Sequence, residues 1–355
     1  MNPLGILLMC PGNPYVAPKG EEAEMPERFR WILGLDIGGT NMVVGLVPFE
    51  GGAAVGVRKL PTLSGAGGEE VIRRALAAAE ESMEEVFRAE GGGRDQVAGI
   101  GVGAPGPLDR ETGVLLEAPN LGWRDFPLRG LVSDGLELPA AVDNDANCAT
   151  YGEWWLGAGR GSTILVGLTL GTGIGGGLVV NGELHHGASD SASEFGHMTI
   201  DSTGRKCKCG NYGCMEAYAS GPNIAARAVE GIVAGVESVL VELVDGELEK
   251  ITAATVYEGV VLGDPYAHEV MKETAKFLGV GVANLINALN PDVVVIAGGV
   301  TRAGDHLFVP LIKEVRRRAF RSAVDACRIV PAALPETAGV IGAAGIFKKA
   351  TFGFV

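Results

Sequence analysis

Four residues with metal-binding side chains crowd together in the second half of the chain: His197, Cys207, Cys209 and Cys214, in the order H-x9-C-x-C-x4-C. Three thiolates and one imidazole close a tetrahedron around zinc and leave no open position, which is the chemistry of a structural site. The competing reading is a chance cluster of buried or redox thiols. Gly204, Gly210 and Gly213, which supply tight turns between the ligands, favour the metal. Cys10, Cys148 and Cys327 are scattered, so a disulfide framework is not the pattern and a reducing compartment, the cytoplasm, is expected. A zinc knuckle for nucleic acid fits poorly in a chain of net charge −14.

Carboxylates flank this cluster. Glu194 precedes His197 by three positions and Glu216 follows Cys214 by two. A metal clamped between them would hold both acids and the free imidazole edge in fixed relation, as recognition of a polyol needs. Another carboxylate, Asp145, sits in Asp143-Asn144-Asp145-Ala146-Asn147 after a short apolar run. At a strand end near mid-chain it suits a general base in an interdomain cleft, and the same residues also suit a helix N-cap. His185 and His186, just after the Asn181-Gly182 hairpin signal, read as surface residues.

Glycine-dense turns supply candidate anion sites. Asp36-Ile37-Gly38-Gly39-Thr40 joins two strand-like runs, and its carboxylate can set a hydrated Mg²⁺ beside a polyphosphate. A type I′ hairpin would need those glycines anyway. Gly171, Gly173 and Gly176 formally match G-x-G-x-x-G, but a strand rather than a helix follows, so the dinucleotide reading fails. Backbone amides there and the Thr172 hydroxyl can still meet an anion, against the plain alternative of a β-turn. Ala297-Gly298-Gly299-Val300 repeats the strand-then-glycine pattern. The absence of G-x-x-x-x-G-K-[ST] excludes a Walker-type NTPase.

The hydrophobic pattern outlines the elements that must position these residues. Strands are expected over 31–36, 42–47, 97–102, 140–142, 162–170, 178–180 and 291–297. Helices are expected over 69–90, 223–235, 268–288, 307–320 and 337–348, and turns over 103–107 and 171–177. No internal repeat is visible. At 355 residues, 47% of them hydrophobic and 20% charged, the α/β chain suits two globular domains and not disorder. An acidic surface repels nucleic acid, and Arg316-Arg317-Arg318 reads as the solvated face of a helix. No apolar run reaches the roughly 18 residues of a membrane span, and the apolar stretch at 5–10 lacks the basic flank of a secretion signal.

Taken in order, LGLDIGGT (33–40), GVGAPGPLD (101–109), PNLGW (119–123), DNDAN (143–147), LTLGTGIGGG (168–177), EFGH (194–197), CKCGNYGCMEAYASG (207–221) and VVVIAGGV (293–300) resemble the ROK family (repressor, open reading frame, kinase), near its glucokinase branch. The resemblance runs over about 30–355. It implies an actin-like ATPase (ribonuclease H-like) fold of two α/β domains around a cleft, with a structural zinc site. Implied bounds are 30–142 plus 337–355 for a smaller N-terminal domain and 143–336 for a larger one carrying the zinc loop, with 1–29 an extension outside the fold.

The implied activity is ATP-dependent phosphorylation of a hexose at the 6-hydroxyl, glucose first, with Asp145 as general base. Asn120, Asn144, Glu194, His197 and Glu216 would join Asp145 in holding the sugar, His197 using one ring nitrogen for zinc and the other for the sugar. Asp36, Gly38, Gly39, Thr40, Asn41, Gly171, Thr172 and Gly173 would serve the ATP phosphates with Mg²⁺, and Gly298, Gly299 and Val300 the adenosine. Asn41 departs from the family, where many members carry Lys. N-acetylmannosamine, N-acetylglucosamine and fructose kinases share these motifs, and polyphosphate is an alternative donor. Family repressors carry an N-terminal helix-turn-helix, for which the first 29 residues here are short, acidic and Pro-broken. An actin- or chaperone-like ATPase leaves the zinc cluster and EFGH unexplained. The implied partners are a hexose and ATP, with no nucleic acid or membrane, in a homodimer or homotetramer.

Overall fold

The structure, a computed structural model, describes residues 28–355. The expected extension therefore lies outside the described residues up to residue 27. Phe29 belongs to the fold: its ring sits 6.1 Å from that of Phe49 and 6.0 Å from that of Phe352.

In chain order the first part runs β1 (Trp31–Ile37), β2 (Asn41–Pro48), β3 (Val55–Pro61), α1 (Gly68–Glu90), β4 (Val97–Ala104), β5 (Leu108–Asp109), β6 (Val114–Ala118), β7 (Trp123–Phe126), α2 (Leu128–Leu136), β8 (Ala140–Asn144) and α3 (Asp145–Trp155). The second part runs β9 (Ile164–Leu170), β10 (Ile174–Val180), β11 (Glu183–Leu184), α4 (Glu216–Ala219), α5 (Gly221–Val233), α6 (Ala253–Val261), α7 (Pro265–Leu289), β12 (Val293–Ala297), α8 (Asp305–Arg318), α9 (Arg321–Ala326), β13 (Arg328–Pro331) and α10 (Ala338–Phe352). Two five-stranded sheets result, ordered β3-β2-β1-β4-β8 and β11-β10-β9-β12-β13. In each, the first three strands form an antiparallel meander and the last two join in parallel. A separate three-stranded antiparallel sheet, β5-β6-β7, packs into the same hydrophobic cluster as the first.

All of the expected helices form. Helix α1 buries Val71, Ala75, Ala78, Met83 and Val86 against the first sheet, the face set by their spacing. On the second, α7 buries Val270, Leu278, Val282 and Ile286. Some boundaries differ. Strand β4 continues through Ala104, β8 takes in Asp143 and Asn144, and β10 starts at Ile174, so the expected turn at 171–177 shrinks to Gly171-Thr172-Gly173. Cross-strand hydrogen bonding claims any residue that can stay extended, glycine included. The arginine triplet is the solvated end of α8, where Arg317 and Arg318 pair with Glu314. No helix among the described residues is long and apolar enough to cross a membrane.

Between the sheets lie α3 and α10, and glycines let them approach. A Cβ on Gly34 of β1 would stand 2.1 Å from the Val340 carbonyl oxygen, and one on Gly101 of β4 1.8 Å from that of Ala343. The two helices meet in the same way: a Cβ on Gly342 would stand 1.6 Å from the Cys148 carbonyl oxygen, and one on Gly152 2.2 Å from that of Ala338. Backbone thus touches backbone at the centre of the molecule.

Candidate active site

A cleft of about 740 Å³ opens where the ends of the two sheets face one another. Gly39, Thr40 and Asn120 line one wall, and Asn144 and Asp145 line its floor at the junction of β8 and α3. Gly171, Thr172, Gly173, Glu194, His197, Glu216, Gly298 and Gly299 line the opposite wall. Thus most of the residues singled out from sequence converge on one space. Asp36, Gly38, Asn41 and Val300 do not line it. Asn41 opens β2 as an exposed residue, and Val300 lines an adjoining apolar pocket of about 430 Å³.

The DNDAN corner satisfies both of its readings at once. Asn144, not Asp145, is the N-cap of α3: its side-chain oxygen accepts the Ala146 and Asn147 N–H groups at 2.9 and 3.3 Å. Asp145 then begins the helix with its carboxylate in the cleft, accepting the Ala146 N–H at 2.8 Å. Burial, helped by the Glu194 charge and opposed by the Ala146 N–H, raises the Asp145 pKa from 3.8 to about 6. A carboxylate poised there is a competent base near neutrality. Asp36, the last residue but one of β1, lies against α10, and burial together with the Asp145 charge raises it to about 7. The Asp145 charge contributes to raising Asp36, and a cation beside the pair would relieve that repulsion.

Across the cleft the His197 Nδ1 lies 3.7 Å from Cys207 Sγ, and Cys209 Sγ lies 3.7 Å from Cys214 Sγ. All four ligand atoms fall within 4.8 Å of one another. A tetrahedron with Zn–S bonds of about 2.3 Å has edges of about 3.8 Å, so the donor set fits zinc. Burial pushes the Cys207 and Cys214 thiols up, a cost that a divalent cation reverses. With Nδ1 turned to the thiols, the Nε2 edge of His197 is left for the cleft. Glu216 joins this cluster to the glycine turn: its Oε1 lies 3.7 Å from Cys207 Sγ and its Oε2 accepts the Ile174 N–H at 2.9 Å. Tyr218 anchors the segment by donating to Asp201 at 3.0 Å and stacking on Phe277 at 4.1 Å.

The two hairpin turns differ from a type I′ geometry, since neither Gly38, Gly39, Gly171 nor Gly173 has positive φ. Their glycines serve clearance instead. A Cβ on Gly173 would meet Glu216 Oε2 at 2.5 Å, and Gly171 and Gly299 face open space. The Gly171 N–H is bonded to the Gly173 carbonyl at 2.9 Å, so the amides of Thr172 and Gly173 and the Thr172 hydroxyl remain as the turn's donors to an anion. Leu170, Gly171, Thr172 and Gly299 line both the cleft and the apolar pocket, which makes the two continuous.

Sequence reasoning missed three polar residues here. His186 is not on the surface: it is 12% exposed and bonded to Asp143 at 2.7 Å. Asp190 lines the cleft and pairs with Arg110 of the opposite side at 3.0 Å. Asn147 lies in the floor. The DNDAN motif marked Asp143 and Asn147 only as neighbours of Asp145, and no local signal marked the other partners.

The ROK family model matches residues 32–350. A glucokinase of Halalkalibacterium halodurans is 38% identical over 90% of this chain and 96% of its own length. A putative xylose repressor of Caldicellulosiruptor sp. is 32% identical over 88% of this chain and 76% of its own. Among solved structures, a ROK family glucokinase from Streptomyces griseus in complex with glucose and AMPPNP superposes with a TM-score of 0.77 at 34% identity, over 89% of this chain and 98% of that one. Motifs, fold and cleft agree with that match: the chain belongs to the ROK family.

Proposed function

We propose that this chain is an ATP-dependent hexose kinase that phosphorylates the 6-hydroxyl of glucose, with Asp145 as general base. The observation that carries this reading is the convergence on one cleft of the Asp145 carboxylate, raised to about 6, of Glu194, Glu216 and His197 beside a Cys3His donor set, and of two glycine turns. The glucokinases at 38% and 34% identity support it, while the repressor relative at 32% is the alternative that the experiment below separates.

Phosphoryl transfer asks for positioning and charge stabilisation. Glu194, Glu216 and the Nε2 edge of His197 orient the sugar hydroxyls, with Asn120 on the opposite wall and Asn144 on the floor beside Asp145. Asp145 takes the proton from O6 as O6 bonds to the γ-phosphorus, and the bond from that phosphorus to the β–γ bridging oxygen breaks to release ADP. Thr172 and Gly173 on one side and Gly39 and Thr40 on the other meet the phosphates, while adenosine occupies the apolar pocket beside Val300. Asp36 would help hold a hydrated Mg²⁺, which would supply charge neutralisation of the β- and γ-phosphates when bound and leave Asp145 free as the base. His197, Cys207, Cys209 and Cys214 would hold zinc, which fixes the sugar-reading segment and does no chemistry itself. The two-domain division, a cytoplasmic location and a homodimer or homotetramer complete the proposal.

The deciding experiment measures ADP release from ATP across a panel of hexoses, including N-acetylmannosamine, N-acetylglucosamine, mannose and fructose, with polyphosphate as a second donor. Glucose with ATP is expected to give the highest kcat/KM. A flat response to every sugar, with sugar binding intact, would instead indicate a regulator.

A further inference from the structure

His186 stands two residues beyond β11 in the second sheet, yet its Nε2 lies 2.7 Å from Asp143 Oδ2 in the last strand of the first. A carboxylate only accepts, so the imidazole N–H donates. Asp143 is 1% exposed, and its other oxygen accepts the Asn144 N–H at 2.8 Å and the Asn147 side-chain amide at 2.9 Å. Asn144 then caps α3. The corner presenting Asp145 is therefore a closed net of hydrogen bonds, and His186 is the support that reaches it from the opposite sheet. Its own backbone is fixed as well: the His186 carbonyl accepts the Ala192 N–H at 3.1 Å, closing the loop that leads into Glu194.

We propose that His186 is a positioning residue for phosphoryl transfer. It holds the buried Asp143 carboxylate, and through it the Asn144–Asp145 corner, in register with the segment that carries Glu194. His186 does not line the cleft, so it acts on Asp145 and not on the sugar. This inference rests on Asp145 being the base. Catalytic geometry is unforgiving, a displacement of about 1 Å costing about 10²-fold.

The test compares His186→Leu, which removes the donor, with His186→Gln, whose amide reaches the same place. With Leu, kcat is expected to fall about 10- to 100-fold while the KM for glucose changes by less than about threefold. Gln restores most of the turnover. In an Asp143→Asn background the Leu substitution adds little, because both act through one bond. The proposal fails if Leu keeps kcat within about twofold of the parent, if Gln and Leu fall equally, or if the two substitutions are additive. Should the Leu variant not fold, His186→Gln against the shorter His186→Asn carries the comparison: only Gln retaining turnover supports it, and equal turnover overturns it. A parent protein that phosphorylates no hexose, while binding one, would bring down the assignment of Asp145 and this inference with it, an outcome separate from an active parent indifferent to His186.

Discussion

The two five-stranded sheets share one strand order but bring different chemistry to the cleft. In each, a meander is followed by a helix and two parallel strands: α1 precedes β4 as α7 precedes β12, and α3 follows β8 as α10 follows β13. The hairpin turn of the first sheet begins with an acid, Asp36, whereas that of the second offers the Thr172 hydroxyl and the carboxylate of Glu216 behind it. Between the third strand and the following helix the first sheet has only a short connection. The second inserts the segment carrying His197 and the three clustered cysteines, with α4–α6, at that place. A shared scaffold fixes where the hairpin turns face. Its insertions and end residues decide what each side can bind.

If that division is right, the largest effect belongs to the corner where the sheets exchange chain. Asp145→Asn should lower kcat by ~10²–10⁴ while glucose still binds, measured by steady-state kinetics and calorimetry; near-normal turnover would detach the corner from the chemistry.

The α3–α10 crossing comes next. Gly342→Val places a side chain on the Cys148 carbonyl and should cost about 3 kcal/mol or more of stability by urea unfolding, beyond the usual overpacking range because the obstacle is backbone. Gly130→Ala, in α2 with open space around it, is the control and should gain about 0.5 kcal/mol. Equal effects would mean that the helices can slide apart at no cost.

A smaller change separates the two walls. Cys209→Ala should abolish metal content, read by elemental analysis, and raise the KM for glucose at least about tenfold while leaving that for ATP nearly unchanged. A parallel rise in both would show that the metal segment supports the whole cleft and not the sugar side alone.

The mildest probe is pH. With Asp145 at about 6, kcat/KM should climb as pH rises to about 6 and level off above it, since the base must be ionised. Stability runs the other way. Asp36, at about 7, and Asp145 hold protons in the folded state that the unfolded chain, with carboxyls near 3.8, has already lost. Without nucleotide or magnesium, the folded protein should therefore lose stability as pH rises from about 4 to about 7 and then level off. Asp36→Asn should flatten much of that slope in urea melts; an unchanged slope would place the buried acids elsewhere.

Much of the site was legible before the fold. The spacing around Cys207–Cys214, the position of Asp145 after an apolar run and the paired glycine turns are short-range patterns, and the structure brings the four donors within 4.8 Å of one another and Asp145 and both turns to one cleft. Asn144 took the capping role that the sequence left open between it and Asp145, because the residue whose side-chain oxygen reaches the second and third helical N–H groups is settled by backbone geometry. His186 was misread for a different reason. Its partner lies 43 positions away in another sheet, and nothing in the residues around it signals burial.

The sequence by itself determined the local periods, the close grouping of His197 with the three cysteines and the place of Asp145 at a strand end, because each depends on residues a few positions apart. Tertiary structure alone decided that two sheets share one topology with no repeat visible in the chain, that α3 and α10 cross backbone to backbone, and that His186 of one sheet bonds Asp143 of the other. Those depend on pairings across long stretches of chain, where strand order and close approach are chosen by packing over the whole molecule and not by the pattern of any one segment.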